Sequence, residues 1–287
     1  MKNTIYFLMF FLFINLIGCG GPSGDPAQIG WQFYDDIMFD KFQDAYELLT
    51  SSDKENITFD EFKDFYTHFK DLLQINGIEA ESLGAESDKN LYKIYKQAEM
   101  IKVNLDYISF IGTDSFNGEI IFSVVEEEGA WKVLFSSMFD FKPYYSTVLL
   151  NNALLYAADD PTSSFDQDLD KALKLCDKAI KVNPDNDQVY SQYMLIYREK
   201  KDYKKALEYG KKHYDVLKER QERQEKRKYP NSDIVNNCIT QRSNIAAMMG
   251  FILTEKGDNK SAKKYIEHAV ELNPGNEKAL QLYNQLF

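Results

Sequence analysis

Small and apolar residues in the second half of the chain return at fixed offsets. Ala172, Cys176, Ala179 and Pro184 form one set. Ala206, Gly210 and His213 form a second, and Ala262, Ile266, Ala269 and Pro274 a third. Tyr190, Tyr193, Met194 and Tyr197 precede the second set, and Ala246, Met249, Gly250 and Leu253 precede the third at the same spacings. Residues three, four and seven apart share one helix face, so each set predicts a pair of helices packed on each other. Gly250 predicts a close approach of the two backbones. Lys200-Lys201-Asp202 and Lys256-Gly257-Asp258 supply the turns within the pairs, with Gly257 suited to a C-terminal cap at positive φ. Asn183-Pro184-Asp185-Asn186 and Asn273-Pro274-Gly275-Asn276 end the second helices, because Pro cannot continue a helix and Asn favours turns. The first pair is predicted as helix 146–158, a loop over Asp159 to Ser164, then helix 166–182. Helix pairs repeated in this way stack and offer a continuous surface to other proteins.

These positions resemble the tetratricopeptide repeat, whose period is about 34 residues. The resemblance covers roughly Tyr145 to Phe287. It departs at Met194, where Gly is usual, and at Lys218, where Pro is usual. It implies an all-α repeat domain over 144–287 that holds a protein or peptide partner in the groove of its first helices. Tyr190, Tyr193, Tyr197, Asn244 and Met248 are the candidate partner-binding residues: Tyr and Met give contact area, and Asn can hold an extended backbone. Asp187 and Ser243, the starts of the second and third copies, stand further apart than one period, which places an insertion at about 218–237. Glu and Lys/Arg alternate there at helical spacing, so the helix is predicted to run on into solvent until Tyr229-Pro230, with Ser232 or Asp233 capping the next helix through 254. A final helix, Glu277 to Leu286, carries Leu280, Tyr283 and Leu286 on one stripe and is predicted to cap the end of the stack.

The first half reads differently. Ile29, Phe33 and Ile37, then Phe42, Ala45, Tyr46 and Leu49, recur at helical spacing. Thr58-Phe59-Asp60-Glu61 is a capping box ahead of a helix bearing Phe62, Phe65, Tyr66, Phe69, Leu72 and Leu73. From Ile78 the period becomes two: Ile101, Val103, Leu105 and Tyr107 alternate with polar neighbours. The segments 119–125 and 130–135 flank Glu126 to Gly129 and predict a hairpin. Helices followed by strands, with Phe33-Tyr34, Phe42-x-x-Ala45-Tyr46 and Gly129-Ala130-Trp131-Lys132-Val133, are similar to the NTF2-like cone fold. The resemblance implies an α+β domain over 26–143, with a curved antiparallel sheet wrapped on a helix. That fold hosts both enzymes and binding modules, so a small-molecule or enzymatic role for the cone pocket is the alternative function.

The chain starts with Lys2, an apolar run from Ile5 to Ile17, and Leu16-Ile17-Gly18-Cys19. The run is short for a bilayer span, which takes about 20 residues, and has the form of an export signal. The Leu-x-Gly-Cys ending looks like the lipobox of bacterial lipoproteins. It implies a signal peptide over 1–18, lipidation of Cys19, a flexible tether over 19–25, and an address in the bacterial cell envelope, lipid-anchored to a membrane on its exported side.

Charge and reactive residues narrow the choice further. The formal net charge is −11. Residues 22–145 hold 24 acidic and 10 basic side chains, which argues against nucleic acid as a partner. From Arg198 to Lys228 the balance reverses, with 13 basic and 7 acidic, a surface for an acidic partner or anionic lipid, or a solvated helix face. The 3 His are not spaced as a metal pair, and no phosphate loop or nucleophile elbow occurs. A His68–Asp64 pair one turn apart is the sole acid–base candidate. Asp53 to Glu61 fails as a calcium loop, because Lys54 would occupy a ligand position. No catalytic residue, metal or cofactor is expected, and the chain is read as a non-enzymatic, membrane-anchored scaffold. Cys176 and Cys238 are expected as free, buried thiols.

Overall fold

The computed structural model describes residue 22 and residues 24–109, 115–159 and 165–286. The chain divides after Phe141 into two units, each with its own core.

In the first unit, Asp25 accepts the Ala27 amide at 2.9 Å and so caps α1 (Pro26–Met38), with Pro26 at a position that needs no donor. Two short helices follow, α2 (Phe42–Glu47) and α3 (Ser51–Asn56), and then α4 (Phe59–Leu72). The capping box of α4 is present: Thr58 Oγ1 accepts the Glu61 amide at 3.3 Å, and the Glu61 carboxylate accepts the Thr58 amide at 3.0 Å. Four strands, β1 (Leu73–Ala85), β2 (Ala98–Ser109), β3 (Ser115–Glu127) and β4 (Ala130–Leu134), form an antiparallel sheet in that order. β1 begins at Leu73, ahead of the alternation visible from Ile78. A register shift between Ile75 and Gly77 breaks the period of two and hides its start. The β3–β4 turn is two residues, Glu128 and Gly129, both at positive φ (54° and 83°).

Aromatic rings fill the space between helices and sheet. Phe33, Tyr34, Phe62, Phe65, Tyr66, Phe122 and Phe135 are all buried, and Phe62 packs on Tyr66 and Phe135 at 4.9 and 5.8 Å between centroids. At Gly30 a Cβ would lie 2.9 Å from Ile101 Cγ2, so glycine lets α1 lie flat on the sheet. Buried Asp53 ties α3 to the end of β4: its carboxylate accepts the Phe135 amide at 2.7 Å, the Ser136 amide at 3.1 Å and the Thr50 hydroxyl at 2.8 Å.

The second unit is helical: α5 (Phe141–Ala157), α6 (Leu169–Val182), α7 (Gln188–Glu199), α8 (Tyr203–Glu225), α9 (Ser232–Glu255), α10 (Asn259–Leu272) and α11 (Glu277–Leu286). Asp168, Asp202 and Asp258 cap the second helix of each pair, each accepting the amide three residues on at 2.8, 3.1 and 3.1 Å. The turn glycine Gly257 has φ +87°, and Lys201 occupies the matching place at +58°. α8 runs on to Glu225 as expected. Asn231, not Ser232 or Asp233, caps α9, because its Oδ1 reaches the amides of Asp233 and Ile234 at 3.0 and 3.2 Å. α5 starts before 146 and α6 after 166.

Neighbouring helices meet at small residues. A Cβ on Gly250 would lie 2.5 Å from Ile266 Cγ1 and 3.2 Å from the Ala262 carbonyl, and one on Gly210 would lie 2.7 Å from Met194 Sδ. The first and third pairs share a polar staple. Ser146 Oγ donates to the Ala179 carbonyl at 2.9 Å and accepts from Asn186 Nδ2 at 2.9 Å. Ser243 Oγ donates to the Ala269 carbonyl at 2.7 Å and accepts from Asn276 Nδ2 at 2.8 Å. The Ser–Ala separations are 33 and 26 residues, so α5–α6 is a genuine repeat with seven extra residues between its helices. The stripe predicted for α11 is corrected: Ala279 is fully buried against Ala246, Ala247 and Ala269 with Leu282 beside it, while Leu280 and Leu286 are exposed. The tight α9–α10 seam admits only a small side chain there.

Candidate functional site

The Asn273-Pro274-Gly275-Asn276 turn places a polar edge beside α9. Pro274 ends the helical hydrogen bonding after α10, and Asn273 Oδ1 accepts the Gly275 amide at 3.1 Å. Asn276, itself buried, then makes three bonds. Its Oδ1 accepts the Ala279 amide at 3.1 Å and starts α11, while its Nδ2 donates to Ser243 Oγ and to Asn244 Oδ1 at 2.8 and 3.0 Å. Asn244 is thereby held at the rim of a groove of about 650 Å³ between α9 and α11. Ala247, Met248, Phe251 and Leu282 give it an apolar floor, and Thr240, Gln281 and Gln285 join the asparagines in an amide and hydroxyl rim. The charged side chains on it are Glu277 and Lys278. Such a trough can cover an apolar side chain and hydrogen-bond the peptide groups on either side of it.

Phe251 is fixed from α7. The Arg198 guanidinium lies 4.8 Å from its ring centroid and grips Glu255 with two bonds of 2.9 Å, from Nε and Nη2. That bond to Glu255 is bidentate and charge-assisted, and it raises the guanidinium's pKa further. Gln188 of α7 also reaches Gln241 of α9 at 3.3 Å.

The five sequence candidates separate into two groups. Asn244 and Met248 line the groove. Tyr193 lies in the α7–α8 packing: it is buried, its hydroxyl donates to the Asp177 carboxylate, and its ring stacks on Tyr209 at 4.5 Å. Tyr197 also stacks on Tyr209 at 5.6 Å, with Lys205 Nζ 4.8 Å from its ring, and Tyr190 faces Lys212 Nζ at 4.5 Å. Burial, then the Asp177 carboxylate, holds the Tyr193 phenol well above its ordinary pKa, so it keeps its proton and donates to Asp177. Phe251, Gln281, Leu282 and Gln285 were missed. Phe251 was legible, being three residues beyond Met248 and seven beyond Asn244. The α11 side was not, because its strongest apolar stripe faces away.

Other candidates hold no assembled chemistry. His68 lies 3.7 Å from Asp64 and 3.5 Å from Asp71, both on its own helix one turn away. His268 Nε2 bonds the Tyr214 hydroxyl at 2.7 Å, and Arg242 Nη2 reaches the same hydroxyl at 2.6 Å. Cys176 and Cys238 are free and buried, and burial pushes the Cys176 thiol up to about 12. Among the described residues no group of three or more His, Cys, Asp or Glu gathers as a metal site, and no helix is long and apolar enough to cross a membrane. Cys19 and the preceding apolar run lie outside the described residues. At the far end of α8, Lys226, Arg227 and Lys228 are exposed beside Tyr229, which is 81% exposed.

Comparison with known proteins agrees with both halves. Residues 25–143 match the family model of the NTF2-like N-terminal transpeptidase domain, and residues 244–276 match the tetratricopeptide repeat. The chain therefore carries an NTF2-like α+β domain followed by an all-helical region with tetratricopeptide repeat character, the class of module that binds other proteins. No curated protein matches. Among solved structures, the N-terminal domain of stress-induced protein-1 (STI-1) from C. elegans is similar over 52% of this chain and 98% of its own, at 14% identity and a TM-score of 0.39.

Proposed function

We propose that the chain is an exported, lipid-anchored scaffold of the bacterial cell envelope, and that its groove between α9 and α11 holds an extended segment of a partner protein. The groove carries this reading. An amide rim on an apolar floor recognises a peptide backbone with one apolar anchor and asks for no charge on the partner. The asparagines are already oriented by the Asn276 bonds, so little ordering cost falls on binding. In the first unit the rings of Phe33, Phe62, Tyr66 and Phe135 occupy the space between helices and sheet, which weighs against a ligand in the cone. The Leu16-Ile17-Gly18-Cys19 motif supplies the anchor, and acyl chains attached there would hold the chain at about 0.8 kcal/mol per buried methylene.

The test places a photo-crosslinking amino acid at Met248, or at exposed Lys264 on the opposite helix α10, in the full chain within its own envelope. A discrete adduct from 248, absent from 264 and lost in an Asn244→Ala, Phe251→Ala background, is expected. Equal adducts from both positions would refute the groove. For the anchor, intact mass and acyl labelling of the mature chain should show lipid that disappears with Cys19→Ala. A mature chain with an unmodified Cys19 would refute it.

A further inference from the structure

The polar staple of the first and third helix pairs is neutral: Ser146, Ala179 and Asn186 in one, Ser243, Ala269 and Asn276 in the other. The middle pair places Asp187, His213 and Arg220 at the same three positions. The exchange follows from the chain. Lys218 stands where Pro184 and Pro274 stop the other helices, so α8 continues, and its third staple position lies on a helix instead of in a turn. Only a long side chain reaches back from there, and Arg220 Nη2 meets Asp187 Oδ2 at 2.7 Å.

His213 then takes the place of a fully buried alanine. It is 2% exposed, and neither ring nitrogen has a hydrogen-bond partner among the described residues. Asp187 at the start of α7, Arg220 on α8, and Cys238 and Arg242 on α9 are the titratable and charged groups of the cluster, and all but Arg220 are 8% exposed or less. Enclosure of this kind disfavours the charged form of the imidazole.

We propose that this cluster makes the middle helix pair an acid-sensitive joint. Uptake of one proton by His213 sets a second cation beside Arg220, the two compete for the single carboxylate of Asp187, and the packing of α8 on α7 and α9 loosens. Burial, reinforced by Arg220 and opposed by Asp187, puts the folded-state pKa of His213 below 6.5. The unfolded chain binds that proton near 6.5, so the stability from neutral His213 is complete above that pH. It is lost as pH falls through 6.5 towards the folded-state value.

The chain has 3 His, so their ring resonances can be followed in the intact protein, with His213→Leu assigning one of them. His213 is expected to titrate below 6.5. In parallel, helix melting is followed at about pH 7.5 and pH 5.5 for the wild type, for Asp187→Ser, His213→Ala, Arg220→Asn combined, and for His213→Leu. The combined variant replaces the charged cluster with the neutral residue types of the neighbouring pairs. It should lose less melting temperature on acidification than the wild type does. His213→Leu should behave likewise and serves if the combined variant fails to fold. A His213 midpoint at or above 6.5, or an equal acid-induced loss in wild type and variants, overturns the proposal.

Discussion

Asn276→Ala removes one side chain with three defined bonds. The cap on Ala279 costs about 1 kcal/mol when lost. Each of the two bonds from Nδ2 contributes about 1 kcal/mol net. Ser243 Oγ keeps the Ala269 carbonyl and Asn244 Oδ1 is rehydrated at the surface, so no further buried group is orphaned. The expected loss is about 2–3 kcal/mol. Asn276→Ser keeps a capping oxygen but is too short to reach Ser243, and should lose roughly two-thirds as much. Urea titration of the full chain separates the units. Both Trp residues, Trp31 and Trp131, precede Phe141 and report the first unit by fluorescence, whereas ellipticity at 222 nm weights the helical second unit. The ellipticity transition should move to lower urea with the fluorescence transition unchanged. A shift under about 0.5 kcal/mol would show that the staple is incidental. Equal movement of both signals would refute the assignment of the loss to the second unit.

Gly250→Ala should destabilise the second unit by about 1 kcal/mol or more. Overpacking against Ile266 and the Ala262 backbone outweighs the gain in helix propensity, and the ellipticity transition reads the difference. Asp53→Ala orphans the buried Phe135 amide and removes the Ser136 bond, and should cost the first unit about 2–4 kcal/mol, moving the fluorescence transition alone. Lys201→Gly relieves a left-handed lysine and should stabilise the second unit by up to about 1 kcal/mol in the same urea assay. Cys176, buried and with its thiol pushed up to about 12, should resist an alkylating reagent at pH 8 until urea unfolds the second unit, as followed by intact mass.

Periodicity alone located both folded segments, because burial of one helix face or one sheet face writes its period into the chain. The repeat turns were legible at Pro184, Gly257 and Pro274, where backbone chemistry leaves few choices, as was the capping box at Thr58. The start of β1 was not, since the register shift after Ile75 broke its alternation. Asn244 and Met248, candidates because they sit on the first helix of the third repeat, line the cavity between α9 and α11. Tyr193, chosen by the same reasoning, sits inside the helix pair, since large aromatics serve packing and contact equally well. What α11 contributes could not be read locally: Ala279 and Leu282 gain their meaning only from the seam of α9 and α10 beneath them. The exchange of a neutral staple for Asp187, His213 and Arg220 has the same character. Each residue is visible in the sequence, but only the folded helices bring Asp187 and His213, more than twenty residues apart, into one cluster and bury the imidazole so that its charged form is disfavoured.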